Sequence, residues 1–343
     1  MGGRPDAAKL LTPDEVRRDV RHLDWRANAI GVDLGGTKIA LGAVDRYGRA
    51  RGVHRHPTLP RRGSNRVIGS IIECLRGCWG PGIPRAQAIG IGVAGQLDHH
   101  GTVLFAPNLR WRNVPLAREV GRAARLPVTA VNDVKAATYG EWKFGAGRGT
   151  RDFVCIFVGT GVGGGIVAGG TLQFGAAGTA GELGHITIEV GGRKCHCPNY
   201  GCLEAYVGGW AIAERAQEAV QAHPRQGQWL LRHAGSVSAI TSKSVEEAYD
   251  AKDPLARALV GETVERLAAG LVSVANAIDP EVIVLGGGVM EGFPSLFSRI
   301  RTAVRARGLR AAVKDLRIVP AGLGGSSGIV GAATLAMDAA NPK

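Results

Sequence analysis

The chain has 343 residues, 45% of them hydrophobic and 21% charged, with a formal net charge of +13 at pH 7. This globular balance excludes a disordered chain, and the length allows a large core in two domains. The 52 glycines show no Gly-X-Y period, so they indicate tight turns and close backbone approaches. Much of the positive charge is arginine, which forms either a solvated surface or a site for nucleic acid or an anionic phosphoryl donor.

Residues 1–27 are predicted to form an N-terminal extension, with a helix that begins at Thr12–Pro13. The extension is polar and charged and lacks the apolar segment of a secretory signal. The uncharged segment 153–181 contains too many glycines for a membrane-spanning helix. We therefore expect a soluble, cytoplasmic protein without a membrane partner.

The first predicted strand, 29–34, ends in a glycine turn, and a second strand, 39–44, follows at once. No helix follows the glycines, so the motif is not a P-loop. The turn still suits a phosphate, because glycine lets the backbone approach closely while Thr and Lys donate hydrogen bonds. The preceding Asp could hold Mg²⁺, and the alternative is an ordinary β-turn. The residues of this candidate phosphate turn are Asp33, Gly35, Gly36, Thr37 and Lys38.

A strand over 127–131 is predicted to deliver Asn132 and Asp133 to the start of a helix over 134–144. An Asp at this position could accept the proton of a hydroxyl group that attacks phosphorus. The alternative is that Asp133 is the N-cap of the helix. Because candidate phosphate turns are also present, we favour the general base.

A second hairpin repeats the design of the first. Strands over 152–158 and 163–168 flank the turn Gly159-Thr160-Gly161, which is a second candidate phosphate cradle. Two such hairpins predict a duplicated α/β architecture, with a cleft between two hinged halves.

Further along the chain, a strand over 281–285 runs into Gly286 and Gly287. These glycines either seat a flat ring such as adenine or make a simple strand-to-helix turn. The other predicted elements are a strand over 88–93, a strand over 316–319, and helices over 64–79, 210–223, 245–278 (split near Asp253–Pro254) and 327–339.

Three cysteines lie within eight residues, and a histidine lies ten residues upstream of the first. Three Cys and one His can supply the four ligands of a closed tetrahedral zinc site, which is structural because no coordination position stays open. His196 competes as the fourth ligand, but it is adjacent to two of the cysteines, so His185 is preferred. The candidate metal ligands are His185, Cys195, Cys197 and Cys202.

Two acidic residues, Glu182 and Glu204, flank the candidate metal ligands. Carboxylates accept hydrogen bonds from sugar hydroxyls, and a zinc loop would hold them rigidly. The alternative is that both are solvated loop acids.

Three of these motifs together resemble the ROK family (repressors, open reading frames and sugar kinases). They are Asp33-Leu34-Gly35-Gly36-Thr37-Lys38, the run Gly181-Glu182-Leu183-Gly184-His185, and Cys-x-Cys-x4-Cys-Leu-Glu from Cys195 to Glu204. The resemblance covers roughly residues 30–339. Two departures from the family pattern are Pro198, where a Gly is usual, and the absence of an acidic residue before Gly328.

The resemblance implies an α/β, actin-like and hexokinase-like ATPase fold, in which duplicated RNase H-like domains enclose a cleft. The expected domains are the extension 1–27, a small α/β domain over 28–133 plus 322–340, and a large α/β domain over 134–321 that carries the zinc loop.

The family also implies a role for each matching residue. Asp133 would be the base on the sugar 6-hydroxyl, and His185 would touch both sugar and zinc. The two glycine turns, with Gly286 and Gly287, would bind the nucleotide. The expected sugar contacts are Gly95, Asn108, Asn132, Asp133, Glu182, His185 and Glu204.

These roles predict an ATP-dependent hexose kinase that uses Mg²⁺ and a structural Zn²⁺, with glucose as the leading substrate. N-acetylmannosamine, another hexose, or polyphosphate as donor are alternatives. A sugar-responsive transcription regulator is a further one, but the extension is too short for a helix-turn-helix domain. We expect a homo-oligomer, a dimer or tetramer, and no specific nucleic acid partner.

Overall fold

The computed structural model describes residues 28–79 and 86–341. The predicted extension, with its helix start at Thr12–Pro13, lies outside the described residues. Contacts divide the chain into two compact units. Of the described residues, unit 1 comprises 28–79, 86–145, 174–179 and 325–341, and unit 2 comprises 146–173 and 180–324.

The described residues form short strands and helices that alternate along the chain. The strands are β1 (Ala29–Leu34), β2 (Lys38–Val44), β3 (Ala50–Pro57), β4 (Ala88–Val93), β5 (Gln96–Leu97), β6 (Val103–Ala106), β7 (Trp111–Val114), β8 (Val128–Asn132), β9 (Phe153–Val158), β10 (Val162–Ala168), β11 (Thr171–Leu172), β12 (Val282–Gly286) and β13 (Arg317–Pro320). The helices are α1 (Ser64–Trp79), α2 (Leu116–Ala124), α3 (Asp133–Phe144), α4 (Glu204–Val207), α5 (Gly209–Ala222), α6 (Gln228–Ala234), α7 (Ser242–Asp250), α8 (Pro254–Ile278), α9 (Gly288–Gly292), α10 (Leu296–Arg307), α11 (Arg310–Val313) and α12 (Ser327–Ala340).

Unit 1 contains a five-stranded sheet in the order β3-β2-β1-β4-β8. Strands β1, β4 and β8 are parallel, whereas β2 and β3 run antiparallel to their neighbours. Strands β1 and β4 are apolar along nearly their whole length and are covered on both faces, as central parallel strands are. A separate three-stranded sheet, in the order β5-β6-β7, is formed by the segment between β4 and β8. Sequence analysis did not predict it.

Unit 2 repeats the same arrangement in the order β11-β10-β9-β12-β13. Here β9, β12 and β13 are parallel, and β10 and β11 are antiparallel to their neighbours. Each unit therefore opens with a hairpin and continues with parallel strands. This repetition confirms the predicted duplicated α/β architecture.

Helix α12 lies directly on the sheet of unit 1, and two glycines make this possible. Gly31 and Gly90 stand side by side in the β1–β4 register. A Cβ atom on Gly31 would overlap the backbone oxygen of Ile329, and one on Gly90 would overlap that of Ala332. Backbone therefore touches backbone where the helix crosses the two central strands.

The same helix packs against α3 through a second pair of glycines. A Cβ atom on Gly331 would overlap the backbone oxygen of Ala136, and one on Gly140 would lie 2.7 Å from the backbone oxygen of Ser327. The hydroxyl of Ser327 also donates to the buried carboxylate of Glu141 at 2.8 Å. Helices α3 and α12 thus form one layer on the sheet.

This layer explains why the compact units differ from the expected domain boundary between residues 133 and 134. Helix α3 stays with unit 1, which extends to Gly145 and also takes in residues 174–179. The contact of α3 with α12 joins segments about 190 residues apart, and no local pattern announces it. The domain assignment itself stays a prediction.

In the described part of the chain, no helix combines the length and the apolar character that crossing a membrane requires. The 25-residue helix α8, the longest, carries several charged side chains.

The close packing of α3 and α12 predicts that Gly331→Ala is destabilising. Its added methyl group must displace the backbone at Ala136, and such overpacking typically costs about 1–3 kcal/mol. Gly69→Ala in α1 is the matched control, because a Cβ atom there meets nothing within 4 Å and alanine favours a helix. The urea midpoint should fall for the first variant and hold or rise for the second; equal midpoints would contradict the packing argument.

Candidate active site

The first candidate phosphate turn joins β1 to β2. The Gly35 amide donates to the Lys38 carbonyl at 3.0 Å, which closes the turn. Thr58, just after β3, clamps it from outside: its hydroxyl donates to the Gly35 carbonyl at 2.7 Å and its amide to the Thr37 carbonyl at 3.0 Å. The side chains of Thr37 and Lys38 remain exposed. The turn is therefore rigid, with its donors facing outward.

Asp33, the last but one residue of β1, is half-buried at this turn. Burial raises the pKa of its carboxyl group, while the positive charges of Lys38 and Arg55 lower it. The start of α12 closes over it, since a Cβ atom on Gly328 would lie 3.2 Å from the Asp33 carboxyl carbon. Burial deprives this carboxylate of water, and a carboxylate is a ligand type that Mg²⁺ accepts.

Asn132, and not Asp133, is the N-cap of α3. The Asn132 Oδ1 atom accepts hydrogen bonds from the amides of Val134 at 3.0 Å and Lys135 at 3.1 Å. Asp133 is the first residue of the helix, and its Oδ1 accepts from the Val134 amide at 2.9 Å. The alternative role considered for Asp133, that of the cap, is therefore filled by its neighbour.

The expected sugar contacts of unit 1 lie close together. The Asn132 Nδ2 atom donates to the Gly95 carbonyl at 3.2 Å. A Cβ atom on Gly95 would lie 2.7 Å from Cβ of Ala106, which directly precedes the turn that holds Asn108. Gly36 of the phosphate turn packs in the same way on Asn108, whose Cβ would lie 2.8 Å from a Cβ on Gly36. The structure therefore brings the predicted sugar and phosphate residues of unit 1 together.

In unit 2, the four predicted metal ligands form one cluster. Their donor atoms all lie within 4.8 Å of one another. The Cys197 and Cys202 sulfurs are 3.6 Å apart, and the Cys195 sulfur is 3.7 Å from Nδ1 of His185. Zinc–sulfur bonds of about 2.3 Å place tetrahedral sulfurs about 3.8 Å apart, so a zinc ion fits this donor set. The members of the cluster are His185, Cys195, Cys197 and Cys202.

His196 takes no part in this cluster. Its exposed ring instead stacks on Trp210, with the ring centroids 4.0 Å apart. His185 turns Nδ1 towards the cysteines, which leaves Nε2 on the opposite side of the ring. The structure therefore places His185, and not His196, beside the three cysteines, and its role as the fourth metal ligand stays a prediction.

The protonation of the thiols differs within the cluster. Burial raises the pKa of Cys195 to about 12, and burial also raises the pKa of Cys202. Burial opposes ionisation of Cys197 as well, but backbone and thiol hydrogen bonds outweigh it and lower the pKa. Because metals bind the thiolate, a metal here must displace protons, and its affinity weakens as pH falls.

Glu204 links this cluster to the second candidate phosphate turn. Its Oε2 atom accepts a hydrogen bond from the Val162 amide at 2.7 Å, and Oε1 accepts from Nε1 of Trp210 at 3.4 Å. A Cβ atom on Gly161 would lie only 2.5 Å from Oε2, so a side chain there would displace the Glu204 carboxylate. Val162 and Trp210 are partners that sequence analysis missed, since they belong to none of the motifs.

The turn itself, Gly159-Thr160-Gly161, is closed by the Gly159 amide, which donates to the Gly161 carbonyl at 2.9 Å. The first amides of α5 hold it from the other side: Gly209 donates to the Gly159 carbonyl at 2.8 Å and Trp210 to the Thr160 carbonyl at 3.2 Å. The turn is thus fixed by the helix that follows Glu204.

Glu182 is exposed, and its backbone carbonyl accepts from the His185 amide at 3.0 Å in a 3-10 turn over Leu183–His185.

Gly286 and Gly287 lie where β12 passes into α9. Gly287 has a φ of 88°, and a Cβ atom there would lie 2.5 Å from the Val158 carbonyl oxygen. The observed geometry is a strand-to-helix turn, and an adenine contact stays a prediction.

Comparisons with known proteins agree with this geometry. The sequence model of the ROK family matches residues 29–339. A glucokinase of Streptomyces coelicolor is 37% identical over 315 residues, which cover 90% of this chain and 97% of that protein.

Two solved structures are also similar. A ROK family glucokinase from Streptomyces griseus, in complex with glucose and AMPPNP, has a TM-score of 0.77 and 38% identity, over 90% of this chain and 98% of that one. A ROK hexokinase from Thermus thermophilus has a TM-score of 0.73 and 33% identity, over 90% and 97%. These matches extend over both units, and the chain belongs to the ROK family.

Proposed function

We propose that this chain is an ATP-dependent hexose kinase that phosphorylates the 6-hydroxyl of glucose. The observation that carries this proposal is the similarity to glucokinases over nine tenths of the chain. One such relative was solved with both glucose and an ATP analogue, which are the two substrates the reaction requires. The substrate glucose itself is inferred from these relatives.

In unit 1, Asp133 takes the proton of the 6-hydroxyl as its oxygen forms a bond to the γ-phosphorus of ATP. The bond between that phosphorus and the bridging oxygen breaks, and ADP leaves. Gly95, Asn108 and Asn132 line the sugar, and the Asp33 turn cradles phosphate. Asp33 would hold Mg²⁺, which would supply positive charge to the phosphates of the nucleotide.

In unit 2, Glu182, His185 and Glu204 accept hydrogen bonds from sugar hydroxyls, and the Gly159-Thr160-Gly161 turn binds phosphate. Gly286 and Gly287 seat the adenine. A structural Zn²⁺ held by His185 and the three cysteines would fix the loop that carries these acids. With Nδ1 on the metal side, His185 keeps Nε2 for the sugar.

The remaining expectations extend the same proposal. The protein acts in the cytoplasm as a homo-oligomer, a dimer or a tetramer, without a specific nucleic acid partner. Size-exclusion chromatography with light scattering distinguishes these states from a monomer.

The proposal predicts that glucose stimulates ADP release from Mg²⁺–ATP. The assay compares glucose with mannose, fructose, N-acetylglucosamine and N-acetylmannosamine, and it repeats glucose with polyphosphate as donor. We expect the largest kcat/KM with glucose and ATP, because a pocket built to bind hydroxyls rejects analogues that leave its buried polar groups unpaired. A chain that releases no ADP with any of these sugars is not a hexose kinase.

Replacement of Asp133 separates catalysis from folding. Asp133→Ala should lower kcat by about 10²–10⁴ through loss of the base, with zinc content and urea midpoint unchanged. Asn132→Ala removes the cap of α3 instead and should cost about 1 kcal/mol of stability. If Asp133→Ala unfolds the protein and Asn132→Ala does not, the two roles are assigned to the wrong residues.

Loss of the metal should impair sugar binding more than nucleotide binding. Cys202→Ser is expected to lose bound zinc, measured by elemental analysis, and to raise KM for glucose by about 10- to 100-fold. KM for ATP should change little. Cys74→Ser in α1, outside the cluster, is the control and should retain metal. An unchanged KM for glucose in the zinc-free variant would remove the metal from sugar recognition.

A further inference from the structure

Trp210, the second residue of α5, contacts three parts of the candidate active site in unit 2. Its amide donates to the Thr160 carbonyl of the second candidate phosphate turn at 3.2 Å. Its indole Nε1 donates to Oε1 of Glu204 at 3.4 Å, and its ring stacks on His196 in the cysteine loop, residues 195–202. The phosphate turn, the proposed sugar ligand and the cysteine loop therefore meet at one side chain.

The Glu204 carboxylate is held by one donor on each oxygen. The Val162 amide donates to Oε2 at 2.7 Å, and the Trp210 indole donates to Oε1. A carboxylate oxygen has two lone pairs, so each oxygen keeps an acceptor position for a further donor such as a sugar hydroxyl. Two donors fix the plane of the carboxylate in advance, and a ligand then loses less free energy in ordering it.

These two donors differ in what holds them in place. The Val162 amide is a backbone group at the start of β10. The Trp210 donor lies at the end of a long side chain that is only partly buried, so its position depends on what packs against the ring. The imidazole of His196 lies against it, with ring centroids 4.0 Å apart and ring planes 25° apart. Aromatic rings at this separation attract each other, so the stack holds the indole in place.

His196 is exposed, but its backbone is confined by a tight hairpin in the cysteine loop. The Cys195 amide donates to the Asn199 carbonyl at 3.1 Å, and Lys194 pairs with Tyr200 in a β-bridge. The cysteines on both sides of His196 belong to the Cys–His cluster. The position of the imidazole ring therefore follows the geometry of this loop.

We propose that Trp210 is a positioning residue for sugar binding, which orients the Glu204 carboxylate through its Nε1 atom and is itself held by His196. The cysteine loop then acts on Glu204 through side-chain contacts as well as through the connecting chain. This inference rests on the proposed function, in which Glu204 accepts a hydrogen bond from the sugar. Neither Trp210 nor His196 needs to touch the sugar in this role.

Isothermal titration calorimetry of the full chain with glucose tests this role. Trp210→Phe removes Nε1 but keeps an aromatic ring and the backbone amide that holds the phosphate turn. Its affinity for glucose should fall about 3- to 10-fold, because one hydrogen bond to a charged group is lost. His196→Ala leaves Nε1 in place without its support and should weaken glucose binding by a smaller factor. In both variants, KM for ATP and kcat should change little.

Trp229→Phe is the matched control. Trp229 is also partly buried, and it stacks on an exposed histidine, His233, with ring centroids 3.7 Å apart in α6. This variant should bind glucose like the parent chain. Glucose should also change the tryptophan emission of the parent chain and of Trp229→Phe, and Trp210→Phe should lose part of that change. The double variant His196→Ala/Trp210→Phe should bind glucose as Trp210→Phe does, because His196 acts through Nε1.

Weaker glucose binding in Trp210→Phe and His196→Ala, with ATP affinity and urea midpoint retained, supports the role. A parent chain that binds no hexose overturns the proposed function, and this role with it. Glucose binding that Trp210→Phe leaves unchanged overturns the role of Trp210 alone. Equal losses of affinity for glucose and ATP assign Trp210 to the stability of the whole site and overturn the role as well. His196→Ala changes an exposed side chain and decides the matter if Trp210→Phe does not fold.

Discussion

The close approach of α12 to the sheet of unit 1 is the constraint on which that unit depends. Gly31, Gly90 and Gly331 let the backbone of α12 touch the backbones of β1, β4 and α3, which restricts the position of the helix. Its first turn then closes over Asp33, and its flank fixes α3, whose first residue is Asp133. Two carboxylates from distant segments are thereby positioned by the packing of one helix. Interiors packed at this density transmit a shift of one element to the next.

Unit 2 reaches a comparable rigidity by polar means. The cysteine and histidine cluster holds one end of the loop, and the bond from Val162 to Glu204 holds the other. The second phosphate turn is therefore tied to the same glutamate that is proposed to bind sugar. A sugar hydroxyl that drew Glu204 away from Val162 would shift the turn proposed to bind phosphate, and this would couple the two proposed substrate contacts within one unit.

Sequence analysis predicted the parts of this protein that local pattern encodes. Strands β1 and β4 are apolar runs that end near glycines, and the four members of the Cys–His cluster are close in sequence, so the strands and the clustering were both predicted. The small sheet β5–β7 was missed because its strands are two to four residues long and partly exposed. The end of the first segment of unit 1, at Gly145, depends on the packing of α3 against α12, which no local sequence pattern indicates. The hydrogen-bond partners of Glu204 likewise depend on tertiary packing.

At the start of α3, the helix cap and the proposed catalytic base are two different residues, Asn132 and Asp133. This separation has a consequence for how the chain can evolve. The Asn132 side chain accepts the amides of Val134 and Lys135, so capping of the helix does not require the adjacent carboxylate. A single substitution at Asp133 would leave a chain that still closes its helix and still carries its metal loop. Such a chain would be a sugar receptor without turnover. In a family that includes repressors as well as kinases, loss of that one carboxylate would separate sugar binding from turnover.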